Sequence, residues 1–539
     1  MSAPRKPIEV ISSYPAHDGT LGSMLASRAA AAPDRELVVF QGESLTYRDV
    51  ARDVARAAAV FAARGVRAGD RVGLMSHNHP STVIAFFGLA RLGAIMVPVN
   101  PEYGVEEAGY VLAHAQVSGV LCSPAVLDTV RAACAKVAPA PWLLLNSPGD
   151  AALPVFADAL EDAPQEAPSN SATPDSVCVF IYTSGTTGFP KGVMHSQHNV
   201  LLAGEGFVER MHLQPDDRLL CILPMFHINA LFYSLAGTLA AGATIILVPK
   251  FSASTFWRTV ADTHATEVNT IAAVTSILTQ RPRSEFVAGH GLRKVYGAPF
   301  TAETYRIFRE EFRVPHLVEG YGMSEVPGVL NNPFEGPHKI GSLGRPSRHP
   351  EHGMAFAEMK VVDDAGRNPP DGETGELAVR TPIVMKGYYR DPEQTAAVFR
   401  DGWFLTGDLG YRDADGYFWF VARKKDIIRK RGENISGAEL DRVIGAHPDV
   451  AEAAAIPVPD ELGEDEILVA VVLKPGATPS ARAIADWCGE RLAAIKVPRY
   501  VAFVGALPHT PTHRVAKFKL RADPTLRDNA VDLEKGARR

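Results

Sequence analysis

Residues Tyr182–Val193 read Tyr-Thr-Ser-Gly-Thr-Thr-Gly-Phe-Pro-Lys-Gly-Val, and they limit what the rest of the chain can be. The apolar run Val177–Tyr182 ahead of them has the β-branched and aromatic content of a buried strand, and the pattern stops at glycine. The residues after this strand read as a mobile loop. Gly185 and Gly188 let backbone N–H groups approach an anion closely. Thr183, Ser184, Thr186 and Thr187 add hydroxyl donors, and Lys191 adds a point charge. Such a loop suits a polyphosphate. It is not a Walker A loop: counted from Gly185, that pattern needs glycine where Pro190 stands, and Lys191 is followed by Gly192 instead of Ser or Thr. The bland alternative is a flexible surface turn. The density of hydroxyls plus a lysine directly behind a buried strand argues against it.

The chain has 539 residues, more than one hydrophobic core serves, so several domains or subdomains are expected. A hydrophobic content of 46% with 22% charged residues is that of a soluble globular protein. The net charge of -6 argues against nucleic acid as a partner. Cys122, Cys134, Cys178, Cys221 and Cys488 are scattered, odd in number and without metal-type spacing, and read as reduced thiols in a cytoplasmic protein. The start, Met1-Ser-Ala-Pro-Arg-Lys-Pro, lacks the apolar core of a signal peptide, and no apolar run is long enough to span a bilayer. No oligomeric state is fixed by the sequence; a homodimer is compatible with it.

Residues 20–140 alternate helical and strand patterns. Tyr47–Arg64 and Pro80–Leu92 read as helices, Val72–Met75 and Ala94–Val99 as strands, and this βαβ rhythm implies a largely parallel sheet covered by helices. Residues 146–175, rich in Pro, Ser, Ala and acids, read as a surface connection. Ala241–Pro249 reads as another buried strand. The second chemical cluster is Glu319-Gly-Tyr-Gly-Met-Ser-Glu325. Tyr321 offers a flat face for a purine, Ser324 a hydroxyl for phosphate, and Glu325 a hard oxygen ligand for magnesium carried on ATP. Read alone, it is an aromatic turn with a cap. Gly375–Arg380 reads as a strand, and Asp408, held among glycines, is an acceptor-only group able to bind a ribose diol. From about 426 to 525 the chain takes on a compact α+β rhythm: a helix at Gly437–Ala446, strands at Val450–Val458 and Ile467–Leu473, a helix at Ser480–Arg491, and a final strand after Lys496-Val-Pro-Arg499.

The two clusters, in this order and at this distance, resemble the adenylate-forming superfamily of acyl-CoA synthetases, luciferases and peptide-synthetase adenylation domains. The resemblance covers residues 20–525, and the middle segments are similar to carnitine/crotonobetaine-type acyl-CoA ligases. It implies an α/β fold with a large N-terminal domain of several subdomains built on βαβ sheets, residues 1–424, and a small mobile α+β C-terminal domain, residues 425–539. It implies an acid–thiol ligase using ATP, Mg2+ and coenzyme A on a small carboxylic acid, by way of an acyl-AMP. The first loop then grips the β and γ phosphates, with Lys191 in it. Leu223-Pro-Met-Phe-His-Ile-Asn-Ala230 matches the Pro-x-Phe-His segment, which sets His227 at the acyl carboxylate, with Ile228, Asn229 and Leu231 bordering the acyl pocket beside Tyr296 and Met323. Val295-Tyr-Gly-Ala-Pro299 matches the Gly-Gly-Ala-Pro segment, so the backbone of Gly297, Ala298 and Pro299 touches adenine. Tyr321, Gly322 and Ser324 belong to the nucleotide site, Glu325 to the metal, Asp408 to ribose and Arg423 to the nucleotide. Lys425 is the hinge, and Gly432 lies on the turn brought to the pantetheine tunnel.

The chain departs from the family pattern in places. Tyr296 stands where glycine is common, and Ala422 replaces a glycine at the hinge. In the last motif, Pro508-His-Thr-Pro-Thr-His-Arg-Val-Ala-Lys517, glycine becomes His513. The lysine that spans carboxylate and α-phosphate becomes Arg514, with Lys517 and Lys519 as substitutes. Arginine and lysine are not interchangeable at a crowded centre, which leaves two alternatives to full ligase activity. One is an enzyme that only converts a supplied acyl-AMP to acyl-CoA; the other passes the acyl group to a carrier protein. A third reading, a nucleotide-binding or scaffold protein without turnover, is opposed by the intact loop and Glu325. Residues 227–231, 296–300 and 322–329 contain no cation, which favours an aliphatic, alicyclic or terpenoid-like acid over a dicarboxylate.

Overall fold

The computed structural model describes residues 4–164, 168, 170, 172–183, 190–351, 356–430, 433–459, 465–509 and 515–534. Two large sheets carry the N-terminal part. In the first, the strands run in the order Gly387–Tyr388, Lys191–Ser196, Val177–Thr183, Ile95–Val99, Arg71–Met75, Gly119–Cys122 and Trp142–Leu145. From Val177–Thr183 to Trp142–Leu145 every pairing is parallel, and the first two strands are antiparallel additions at one edge. The second sheet has nine strands, with a parallel centre of His316–Met323, Lys294–Gly297, Glu267–Asn269, Arg218–Cys221, Thr244–Leu247 and Glu36–Phe40. The central strands are buried on both faces, as crossover helices demand. Ile95–Val99, for example, is buried at every position. Helices Tyr47–Ala63, Pro80–Arg91 and Gln197–Met211 supply that cover, and one cluster of apolar side chains unites them with strands of both sheets.

A third sheet, antiparallel, contains Glu358–Val362, Gly375–Arg380, Phe399–Arg400, Trp403–Arg412 and Phe418–Arg423. The smaller C-terminal part comes next. It has a hairpin, Ile427–Lys430 with Glu433–Ser436, and a four-stranded sheet of Val450–Pro459, Asp465–Leu473, Tyr500–Phe503 and Val531–Asp532, packed with helices Gly437–Gly445 and Ala481–Gly489. The α/β architecture and its α+β companion are those expected.

Three expectations need adjustment. The strand read at 241–249 shrinks to Thr244–Leu247, because the preceding helix runs to Ala241 and ends on Gly242 at a φ of 67°. The connection read at 146–175 contains a helix, Phe156–Glu161, whose Phe156 stacks on Phe61 with centroids 5.7 Å apart. The strand after Arg499 is not the last, since Val531–Asp532 pairs antiparallel with it.

Candidate active site

Thr183 and Lys191 face each other on the last rung of an antiparallel pair. The strands that flank residues 184–190, Val177–Thr183 and Lys191–Ser196, thus run antiparallel, whereas the strand before a Walker loop is followed by a helix. Ser184, Gly185, Thr186, Thr187 and Gly188 lie outside the described residues. Across the outer edge of that pair, Gly387–Tyr388 joins Lys191–Ser196. That pairing delivers Tyr388, whose hydroxyl donates to Glu325 Oε1 at 2.8 Å. Lys191 Nζ lies 5.0 Å from the centre of the Tyr388 ring and donates to Gln394 Oε1 at 2.8 Å.

Ser324 and Glu325 form the turn between strands His316–Met323 and Val326–Asn331. Glu325 is buried, and burial raises its carboxyl pKa above the usual range against the opposing pull of Tyr388, Arg423 and Lys191. The turn is tied to the strand Lys191–Ser196 a second time: His195 Nε2 lies 2.6 Å from the Ser324 carbonyl oxygen. Burial brings the His195 pKa down to about 4, so the ring is neutral at pH 7 and its Nε2–H donates to that carbonyl. Tyr388, Gln394 and His195 are not legible in the sequence as site residues. None carries a motif of its own, and only the strand pairing brings them in.

Among the described residues no group of three or more His, Cys, Asp or Glu is placed to hold a metal ion. Glu325 is a single carboxylate. A magnesium ion that arrives on nucleotide phosphates takes one or two carboxylates besides the phosphate oxygens. A buried carboxyl reluctant to ionise is also one that an arriving cation ionises. The residues thus fit an ion carried in with the nucleotide, not one held by the protein alone.

The nucleoside candidates come together from three segments. Asp408 and Arg423 are register partners on strands Trp403–Arg412 and Phe418–Arg423, and Arg423 Nε meets Asp408 Oδ1 at 2.7 Å. Tyr321 donates its hydroxyl to Asp408 Oδ2, also at 2.7 Å. Burial, and then the Asp408 charge, holds the Tyr321 phenol protonated. Asp408 is 1% exposed, and Gly407, at a φ of 70°, bends the strand just before it.

On the acyl side, Tyr296 and Gly297 end a central strand and lead into Ala298 and Pro299. The ring of Tyr296 fits because residue 320 is glycine: a Cβ there would stand 2.3 Å from the Tyr296 hydroxyl. Ile228, Tyr321 and Met323 pack against the apolar cluster that contains Tyr296. The segment before His227 is pinned by Asn78, which donates to the Leu223 carbonyl at 3.0 Å and accepts from Met225 N at 2.8 Å. The His227 ring lies against Phe226 with centroids 4.3 Å apart, and the chain then enters a π-helical stretch, Asn229–Leu235. Such stretches recur at functional sites. Leu231, expected at the pocket border, is fully buried in the core. The three segments themselves hold no cation, but Arg210 of helix Gln197–Met211 donates to the Gly328 carbonyl at 2.6 Å, from outside them.

Glu319, at the head of the second cluster, holds this region from beneath. Its two oxygens accept from Phe300 N at 2.9 Å and Gly341 N at 3.2 Å, and burial pushes its pKa from 4.5 to about 7. Between those two pH values the unfolded chain has lost this proton and the folded chain has kept it, so stability falls as pH rises through the window. The group's contribution to that fall is about 3 kcal/mol. Urea unfolding at pH 5 and pH 8 should show Glu319→Gln losing less stability than the parent between the two. An identical loss would remove Glu319 as the cause.

At the junction of the two parts, Lys424–Asp426 forms a 3-10 turn, and Lys424 Nζ reaches Glu376 at 3.0 Å. For Lys425 only the backbone is described. Arg521 pairs with Asp426 at 3.2 Å. Gly432, His513 and Arg514 lie outside the described residues. Lys517, one of the two substitutes considered for the missing lysine, is tied to Asp441 at 2.6 Å. Lys519 is exposed.

Lys191, Glu325 and the Tyr321–Asp408–Arg423 set thus come together from strands of three different sheets. Residues 25–389 match the profile of the AMP-binding enzyme family, and residues 439–514 match the C-terminal domain of AMP-binding enzymes; the chain belongs to this family. It is 35% identical over 507 residues to feruloyl-CoA synthase of Amycolatopsis sp, covering 93% of this chain and 98% of that one. It is 31% identical over 506 residues to crotonobetaine/carnitine–CoA ligase of Salmonella paratyphi A, covering 90% and 96%. The crystal structure of ATP-bound MatB from Rhodopseudomonas palustris superposes with a TM-score of 0.83 at 29% identity, over 94% of this chain and 98% of that one. The protein is an AMP-forming acid–thiol ligase: it activates a carboxylic acid with ATP and transfers the acyl group to coenzyme A.

Proposed function

We propose that Thr183–Lys191 holds the β and γ phosphates of ATP, Glu325 the magnesium ion, and Tyr321, Asp408 and Arg423 the nucleoside. The observation that supports this most is the linkage of Lys191 to Glu325 through one tyrosine, Tyr388, which brings a cation and a carboxylate from separate sheets beside one phosphate loop. A carboxylate is a poor acyl donor because its leaving group would be oxide. Attack of its oxygen on the α-phosphorus forms an acyl-AMP and expels pyrophosphate, whose charge Lys191 and the loop donors stabilise as it develops. His227 borders the carboxylate. Arg514 supplies the cation near the α-phosphate, since Lys517 is committed to Asp441.

The second half needs a thiol where the Arg514 loop stood. The division at 424/425 serves this exchange. Rotation of the C-terminal domain about Lys425 withdraws Arg514 and brings Gly432 to the thiol's path, so one site runs two reactions. Coenzyme A sulfur then attacks the acyl carbonyl, and AMP leaves. Five buried, free cysteines support a cytoplasmic setting, and no helix among the described residues is long and apolar enough to cross a membrane.

Arg514 in place of lysine favours one second reading, that only the thioester step survives. Pyrophosphate release from ATP and magnesium, measured with a panel of acids and no coenzyme A, separates the two. Acid-dependent release is the expected result. Silence across the panel, with acyl-CoA formed from supplied acyl-AMP, would restrict the enzyme to the second step.

A further inference from the structure

Tyr296 ends a central strand on the acyl side of the site, and its ring is buried. Two more buried rings stand edge-on to it. Tyr233 comes from the π-helical stretch that follows His227, with its centroid 5.7 Å from that of Tyr296. Phe207 comes from helix Gln197–Met211, at 5.3 Å. Three aromatic side chains thus meet between the sheet and the helical segments that cover it, and together they fill a large apolar volume. Gly320 gives the Tyr296 phenol its room, because a Cβ there would stand 2.3 Å from the hydroxyl.

The two tyrosines are also tied down at their polar ends. Arg210, buried on helix Gln197–Met211, hydrogen-bonds the Tyr296 hydroxyl and donates from Nη2 to the Gly328 carbonyl at 2.6 Å. The Tyr233 hydroxyl is hydrogen-bonded to the backbone of the same glycine. Gly328 sits at a φ of 60°, and a Cβ there would fall 2.3 Å from Arg210 Nη2, so this close approach needs glycine. One chain of contacts, Tyr296–Arg210–Gly328–Tyr233, therefore fixes both rings. Turning Tyr296 aside breaks a buried hydrogen bond to a charged group, which resists more than packing alone.

We propose that Tyr296 and Tyr233 close the far end of the acyl site and restrict the enzyme to short acids. This rests on the ligase reading, which puts the carboxylate beside His227 and the nucleoside at Tyr321. Ile228, Tyr321 and Met323 pack against the apolar cluster that contains Tyr296 and Tyr233. A hydrocarbon chain that leaves His227 enters that cluster and meets the two rings. Glycine at position 296 would leave this volume to the substrate; tyrosine fills it. A well-packed wall yields poorly, and each methylene pressed against it costs about tenfold or more in affinity. Among the apolar acids favoured by the pocket segments, the two rings select compact, short ones and reject terpenoid-like and long aliphatic ones.

The test uses isosteres of the acyl-AMP, the 5′-O-(N-acylsulfamoyl)adenosines from acetyl to decanoyl, titrated calorimetrically into the full chain. No turnover is needed, so the outcome stands apart from whether Arg514 supports adenylation. Affinity should be highest at a short chain and fall about 10²-fold or more by octanoyl. Tyr296→Gly should move the optimum longer by about two carbons or more, and Tyr296→Phe, the ring without its tie to Arg210, should keep the parental optimum with a smaller penalty for long chains. A parent protein that binds decanoyl as tightly as butyryl would overturn the proposal, even if Tyr296→Gly failed to fold. So would a folded Tyr296→Gly that loses affinity equally at every length, which is what a purely structural ring predicts. Binding of no member of the series would instead overturn the ligase reading of the site, and the proposal with it.

Discussion

Glu325→Gln should make the protein more stable and a poor adenylating enzyme. The two signs have one origin. Glu325 is buried, and burial raises its pKa above the usual value, so a charge there costs the fold stability. Glutamine keeps the shape and an oxygen to accept from Tyr388, and removes the charge, so Tm should rise. The same substitution removes the anionic oxygen offered to the magnesium ion on ATP. Ligation of that kind is worth several kcal/mol where phosphoryl charge develops, so acid-dependent pyrophosphate release should drop by about 10²-fold or more. The magnesium concentration at half-maximal rate should rise as well. A variant that releases pyrophosphate at the parental rate, with the parental magnesium dependence, would take Glu325 out of the metal site. Because Tm and activity are expected to move in opposite directions, partial unfolding cannot imitate the result.

The parts of this site legible in the sequence are those where chemistry and local structure coincide. The strand before the hydroxyl-rich loop is readable because its residues are apolar and β-branched, and it is found at Val177–Thr183. Tyr321, Asp408 and Arg423 can be named one by one through motif resemblance, although 87 residues separate Tyr321 from Asp408. The two helices and two strands read between residues 47 and 99 emerge within one residue of their ends, since buried βαβ units have long, unmixed hydrophobic patterns.

The residues hidden from the sequence depend on pairing. Tyr388 and Gln394 reach the site because a two-residue strand is added to the strand Lys191–Ser196, and a strand that short has no periodicity to read. His195 stands between Met194 and Ser196 on a short strand, with no pattern to set it apart. Arg210 does leave a signal: it is a lone charge at a buried position between Val208 and Met211 on a helix that is buried nearly all round. A charge in such a place needs a partner, and only the fold shows that its partners are aromatic rings, the Tyr296 hydroxyl and one carbonyl.

Asp408→Asn should weaken ATP binding by about 30-fold, roughly 2 kcal/mol, the scale of hydrogen bonds made by a charged acceptor. The reason begins with the cross-strand pair. Asp408 is almost completely buried, accepts from Tyr321 and is ion-paired with Arg423, each at 2.7 Å. Its charge therefore does two things: it fixes the Tyr321 ring and the Arg423 guanidinium, and it presents an anion toward the place assigned to the ribose diol. Asparagine preserves the shape but loses the charge. Arg423 is about one-third exposed, with a side-chain exposure of 34%, so water compensates part of its loss and the penalty to stability is smaller than for a fully buried pair. Affinity is thus the sharper readout. Calorimetric titration with ATP and with 2′,3′-dideoxy-ATP closes a cycle between side chain and ribose hydroxyls. The parent should bind the dideoxy nucleotide about as weakly as the variant binds ATP, and the variant should scarcely distinguish the two. Additive losses would mean that Asp408 acts on the nucleotide only through Tyr321 and Arg423, and the diol would then need another acceptor.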